Sequence, residues 1–176
     1  DIAWHEATGT SVNRDENWSR TEPRDVPSCF DEVVRRDPGR IAVVQGDRQW
    51  TYKEVDEISN SIAETLVQQH GVELGEIVAI ALPRGMMAIA SMLGVLRAGA
   101  AYMPLEMDDP ADRIRHILQD ASTRVLICDG SDQRASAVCA QNHIRLLDAS
   151  RIEPAKFTRR TSLSGDALAY VMFTSG

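Results

Sequence analysis

Aromatic residues make up only 5% of this 176-residue chain, which leaves few platforms on which single-stranded nucleic acid could stack. Positive charge is also in deficit: 19 Lys and Arg stand against 26 Asp and Glu, for a net charge of −7. A nucleic-acid backbone calls for clustered Lys and Arg, so nucleic acid is excluded as a leading partner. Cysteine is scarce. Cys29, Cys128 and Cys139 lie far apart with no C-x-x-C pair, which is neither a disulfide framework nor a zinc site and fits a reducing, cytoplasmic compartment. His5, His70, His116 and His143 fall singly, without the H-x-x-x-H spacing of a metal site. No basic segment followed by an apolar run stands at the start of the sequence. The longest apolar stretch runs from Ile77 to Leu96, but Pro83-Arg84 interrupts it. A mid-span arginine costs about 2.5–3.5 kcal/mol in a bilayer, so a buried strand, a turn and a buried helix are expected there, with no membrane partner.

What is present is ordinary for a folded protein: 43% hydrophobic and 26% charged residues. A domain of about 150 residues buries roughly 70% of its unfolded surface, so a core forms without disulfides or metals. Residues 1–28 stand apart from the rest. They hold an acidic surplus around Arg14, Arg20 and Arg24, show no sustained periodicity, and have Trp4 and Trp18 as their only large apolar anchors. They read as a linker from an upstream domain, and residues 29–176 as the folded portion.

From Cys29 onward the pattern is regular. Phe30, Val33 and Val34 predict a short helix that Asp37-Pro38-Gly39 stops. Ile41 to Val44 and Arg48 to Trp50 flank Gln45-Gly46-Asp47, a hairpin signature. Thr51-Tyr52-Lys53-Glu54 is a capping box, and the helix it opens buries Val55, Ile58, Ile62 and Leu66 before Gly71 ends it. Ile77 to Leu82 has no polar alternation, as in a parallel strand covered on both faces. Met86 to Ala98 is apolar nearly all round, with Gly94 permitting close approach of a neighbour. Met86, Met87 and Met92 read as core filling. Asp109-Pro110 predicts an N-cap and a first helical residue, followed by the stripe Ile114, Ile117, Leu118. A strand at Arg124–Cys128, a weak helix at Asp132–Ala140, a strand at Ile144–Leu147 and a last apolar strand at Leu168–Phe173 follow. Strands alternating with helices predict an α/β fold with a mostly parallel sheet flanked by helices.

That last strand runs into Thr174-Ser175-Gly176. Ligands of α/β sheets bind beyond the carboxyl ends of the strands, and a Thr-Ser-Gly turn offers hydroxyls and amides suited to a phosphate. Neither G-x-x-x-x-G-K-[ST] nor G-x-G-x-x-G accompanies it.

Three segments in order carry a resemblance: Trp50-Thr51-Tyr52-Lys53-Glu54-Val55, then Leu96 to Glu106 (LRAGAAYMPLE), then Leu168 to Gly176 (LAYVMFTSG). With Leu82-Pro83-Arg84, they resemble the first three core motifs of the adenylation domains of non-ribosomal peptide synthetases, within the adenylate-forming superfamily. The resemblance covers roughly Cys29 to Gly176. It implies the N-terminal subdomain of an adenylate-forming enzyme, truncated within its phosphate-binding motif. It also implies the reaction: an amino or aryl acid and ATP give an acyl-adenylate, with Mg²⁺ on the pyrophosphate. The acyl group then passes to the phosphopantetheine thiol of a carrier-protein domain. Thr174, Ser175 and Gly176 match the opening of the ATP phosphate-binding loop. No catalytic residue and no metal ligand is assigned, because the family's lie downstream. Small departures are Trp50 for a usual Leu, Glu106 for Asp, Met107-Asp108 inserted before Asp109-Pro110, and Phe173 for a frequent Tyr. An upstream condensation domain is a further implied partner. A stand-alone acyl- or aryl-CoA ligase is the alternative, and a truncated, non-catalytic interaction module docking through Trp4 and Trp18 is the second. An apolar, unpaired last strand also leads to the expectation that the isolated chain self-associates.

Overall fold

The computed structural model describes residues 25–153 and 166–173; the expectations that fall on residues 1–24 and on Thr174, Ser175 and Gly176 lie outside the described residues. The first described element is helix α1, Val26–Arg36, whose Asp25 cap accepts from the Ser28 amide at 2.8 Å. This start precedes the residue 28 boundary read from the sequence, because Asp25 caps and Pro27, at the first turn, is buried. Strands β1 (Ile41–Gln45) and β2 (Arg48–Thr51) pair antiparallel as the expected hairpin. The capping box is formed: Glu54 N–H donates to Thr51 Oγ1 at 3.2 Å, and Thr51 N–H donates to Glu54 Oε2 at 2.7 Å. It opens α2, Tyr52–Gln68, which buries Val55, Ile62 and Leu66 and half-buries Ile58.

The main sheet contains β3 (Ile77–Ala81), β4 (Ala101–Pro104), β5 (Val125–Cys128) and β6 (Arg145–Asp148), in the order β4-β3-β5-β6 and parallel throughout. Helices α3 (Met86–Arg97), α4 (Ala111–Asp120) and α5 (Gln133–Asn142) make the crossovers. Because strand side chains alternate faces, each strand feeds two cores. Val78, Ile80, Val125, Ile127 and Leu147 join the residues of α2 and α3 on one face. Ala79, Ala81, Met103, Leu126 and Cys128 join Ile114, Ile117 and Leu118 of α4 and Val138 and Cys139 of α5 on the other. A sheet buried on both faces is why these strands show no polar alternation. Cys128 and Cys139 are free thiols within this second core, and burial pushes them up to about 12 and about 11.

Two expectations are corrected. Asp109 does not cap α4; the helix starts at Ala111 with Pro110 in the cap position and no side-chain cap bond. The Asp109 carboxylate instead accepts from Arg113 Nε at 3.0 Å, one turn on, a charge-assisted bond that competes with capping. Leu168–Phe173 does not form a continuous strand. It meets the sheet at one parallel bridge, Tyr170 to Tyr102, on the outer edge of β4. Even-numbered residues of β4 face that edge, and the next of them, Pro104, has no N–H to donate. Leu168, Tyr170, Met172 and Phe173 are exposed.

Candidate functional site

The strand order defines where a ligand site belongs. Chain progress goes from β3 outward to β4, then back across to β5 and on to β6, so the direction of winding switches between β3 and β5. In open α/β sheets ligands occupy the crevice outside the carboxyl ends at such a point. A cleft of about 450 Å³ lies there. Its walls are Leu82 and Pro83 after β3, Asp129 after β5, Ser150 after β6, and the hairpin residues Gln45, Arg48 and Trp50.

Local chemistry holds these walls in place. The Arg48 guanidinium lies 4.8 Å above the Trp50 ring, a cation–π contact. Gln45 bridges hairpin and helix: Nε2 donates to the Arg84 carbonyl and Oε1 accepts from the Met86 amide, each at 3.4 Å. Next to Asp129, Gly130 N–H donates to Asp148 Oδ1 at 2.8 Å. A Cβ on Gly130 would collide with that carboxylate, so a larger residue there would displace the Asp148 side chain from its bond to the turn. Hydrogen bonds from Ser150, Gly130 and the Arg151 charge hold the Asp148 carboxyl below the ordinary carboxylate range, the Ser150 hydroxyl first. The Ser131 hydroxyl and amide do the same for Asp129. Both carboxylates are thus used by their own turns.

The segment carrying the predicted phosphate contacts runs parallel to β4, so Phe173 stands toward the carboxyl edge of the sheet. It lines a shallow cavity with Pro110, Arg113 and Ile117 of the α4 region. The chain then continues into Thr174, the first of the three predicted phosphate-contact residues. Among the described residues no group of three or more His, Cys, Asp and Glu is placed to hold a metal ion. Among them, too, no helix is long and apolar enough to cross a membrane.

Two features escape the sequence patterns. One is Arg97, 3% exposed at the end of α3. Its Nη1 donates to Asn60 Oδ1 at 2.7 Å, Ser59 Oγ at 2.9 Å and the Asp56 carbonyl at 3.2 Å. Its Nη2 donates to Asp56 Oδ1 at 2.6 Å and pairs with Asp31 of α1, while the guanidinium sits 5.6 Å above the Phe30 ring. The signal was a single charge in an otherwise apolar helix, since a charge there must find partners. The other is the stack of Tyr102 on Tyr170, with ring centroids 5.7 Å apart, for which no local sequence signal exists.

A parallel sheet wound in this way, buried on both faces and with a cleft beyond its carboxyl edge, defines an open α/β domain. The chain belongs to the AMP-binding enzyme family, which it matches over residues 30–176. It is 35% identical over 168 residues to a probable non-canonical nonribosomal peptide synthetase, CymA, of Salinispora arenicola, covering 90% of this chain and 2% of that protein. It is 37% identical to surfactin synthase subunit 2 of Bacillus subtilis, covering 86% of this chain and 4% of that one. The N-terminal subdomain of Klebsiella oxytoca NpsA superimposes with a TM-score of 0.75 at 28% identity, over 88% of this chain and 40% of that chain. The chain therefore corresponds to the N-terminal portion of an adenylation domain, and it spans a few per cent of the length of the curated relatives.

Proposed function

We propose that this chain is part of an enzyme that activates an amino or aryl acid with ATP as an acyl-adenylate. The acyl group then passes to the phosphopantetheine thiol of a carrier-protein domain in a cytoplasmic non-ribosomal peptide synthetase. The observation that carries the reading is the conjunction of the family match over residues 30–176 with the Leu168–Phe173 segment running toward the sheet's carboxyl edge. In this reading Thr174, Ser175 and Gly176 clasp the ATP phosphates through hydroxyls and amides, with Mg²⁺ accompanying the nucleotide. Charge developing on the departing pyrophosphate is steadied by such preorganised donors. The residues ahead of Asp25 and helix α1 form the linker from an upstream, condensation-type domain.

The test is exchange of labelled pyrophosphate into ATP by the full-length enzyme across a panel of amino and aryl acids. Exchange that depends on one acid, followed by its loading on a phosphopantetheine-bearing carrier, is the expected result. Loading on free coenzyme A alone would convert the reading to an acyl- or aryl-CoA ligase, and absence of exchange with every acid would refute it. The 176-residue chain on its own is expected to show no exchange.

A further inference from the structure

The second of the three motif segments contains no reactive group, yet its tyrosine holds the third. Both hydrogen bonds that join Ala169 and Val171 to the sheet go to Tyr102: its N–H donates to the Ala169 carbonyl at 3.1 Å, and its carbonyl accepts from the Val171 amide at 3.0 Å. The parallel bridge is between Tyr102 and Tyr170, and their rings stack at 5.7 Å with planes 24° apart. Pro104 offers no N–H beyond this point, so the next donor of the ladder is missing. Between that bridge and Thr174, Met172 is 64% exposed and adds little anchorage. Beyond the two backbone bonds, the ring stack adds a side-chain anchor at the bridge, and Phe173 lies toward the α4 region further on.

We propose that Tyr102 is a positioning residue for ATP: through its stack on Tyr170 it sets where and in what direction the chain enters Thr174-Ser175-Gly176. The proposal rests on the reading of those three residues as phosphate contacts. Tyr102 touches no substrate; it acts through Tyr170. Phosphate contacts made by short hydroxyls and backbone amides tolerate little displacement, since misplacing a binding group by about 1 Å costs as much as 10²-fold. An offset aromatic pair is worth about a 2- to 12-fold shift in an equilibrium. That is the size of effect expected in ATP binding when the pair is removed.

The full-length enzyme tests this with Tyr102→Ala, Tyr102→Phe, Tyr170→Ala and the double Ala variant, measuring KM for ATP and for the acid separately. Tyr102→Ala is expected to raise the ATP KM by about 2- to 12-fold with the acid KM unchanged, and Tyr102→Phe to restore the wild-type value. Tyr170 is 53% exposed, so Tyr170→Ala leaves the core intact and remains informative if Tyr102→Ala folds poorly. It should reproduce the ATP effect, and the double variant should add nothing further. An unchanged ATP KM in Tyr170→Ala, additive effects in the double variant, or equal rises in both KM values would overturn the proposal while the function reading stands. A wild-type enzyme without exchange activity would refute that reading, and the proposal with it.

Discussion

Arg97 shows how one side chain can join three helices. The guanidinium presents five donors in a planar fork and cannot shed its charge. Here that fork meets α1 through Asp31 and α2 through Asp56, Ser59 and Asn60. Removing one partner of a buried pair leaves the other groups unsatisfied, which costs up to about 3–5 kcal/mol. Asp31 and Asp56 keep 40% and 23% of their side-chain surface exposed, so water recovers part of that. Arg97→Ala is expected to lose roughly 2–4 kcal/mol of stability, and Asp31→Asn about 1 kcal/mol or less. Urea unfolding measures both, and equal small losses would show that the cluster contributes no more than a surface pair.

At the scale of elements, α2 packs against α3, and Gly94 lets the two helices approach closely. A Cβ built on Gly94 would stand 2.8 Å from Ile62 Cβ and 2.9 Å from the Ser59 carbonyl oxygen. That second contact is with backbone, so it cannot rotate away. Gly94→Ala gains up to about 1 kcal/mol of helix propensity but overpacks the contact by about 1–3 kcal/mol. The expected balance is a net loss on the order of 1 kcal/mol, read as a lower thermal midpoint; an unchanged or raised midpoint would mean the two helices can separate without cost. The same packing explains how much of the elements could be read in advance. Strand and helix positions follow from local patterns such as the Thr51–Glu54 box and the apolar run from Ile77. Leu168–Phe173 is apolar enough for a strand, but its composition says nothing of Pro104, far away in sequence, which withholds the next donor on the edge of β4. The Asp109 cap was misread because Arg113 claims the carboxylate.

For the whole molecule, acid is expected to be destabilising in two steps. Burial, and then the Arg145 charge, lower the His70 pKa, and its Nδ1 is buried without a partner. The folded state therefore resists protonation that the unfolded chain accepts near its ordinary value of about 6.5. Stability is full above that pH and falls as pH drops through it. Glu54, held low by the Thr51 amide and hydroxyl, acts in the same sense with Asp129 and Asp148. Their contributions are present above the ordinary carboxylate range, about 4, and are lost as pH falls below it. Urea midpoints from pH 8 to 3 should decline in both windows, and His70→Asn should flatten the upper decline alone. A midpoint that rises between pH 7 and 5 would contradict the depressed histidine.

The sequence by itself determined what depends on near neighbours. The Thr51–Glu54 cap, the turn between β1 and β2, the strand–helix alternation and the composition of each motif segment are local, so they can be read in order. Tertiary structure alone decided the strand order β4-β3-β5-β6, the cleft at its switch point, the partners of Arg97 and the stack of Tyr102 on Tyr170. Those contacts join residues tens of positions apart, and only the burial of both sheet faces brings them together. Local preference cannot name such partners, because any apolar strand or charged side chain is satisfied by many, and packing selects among them.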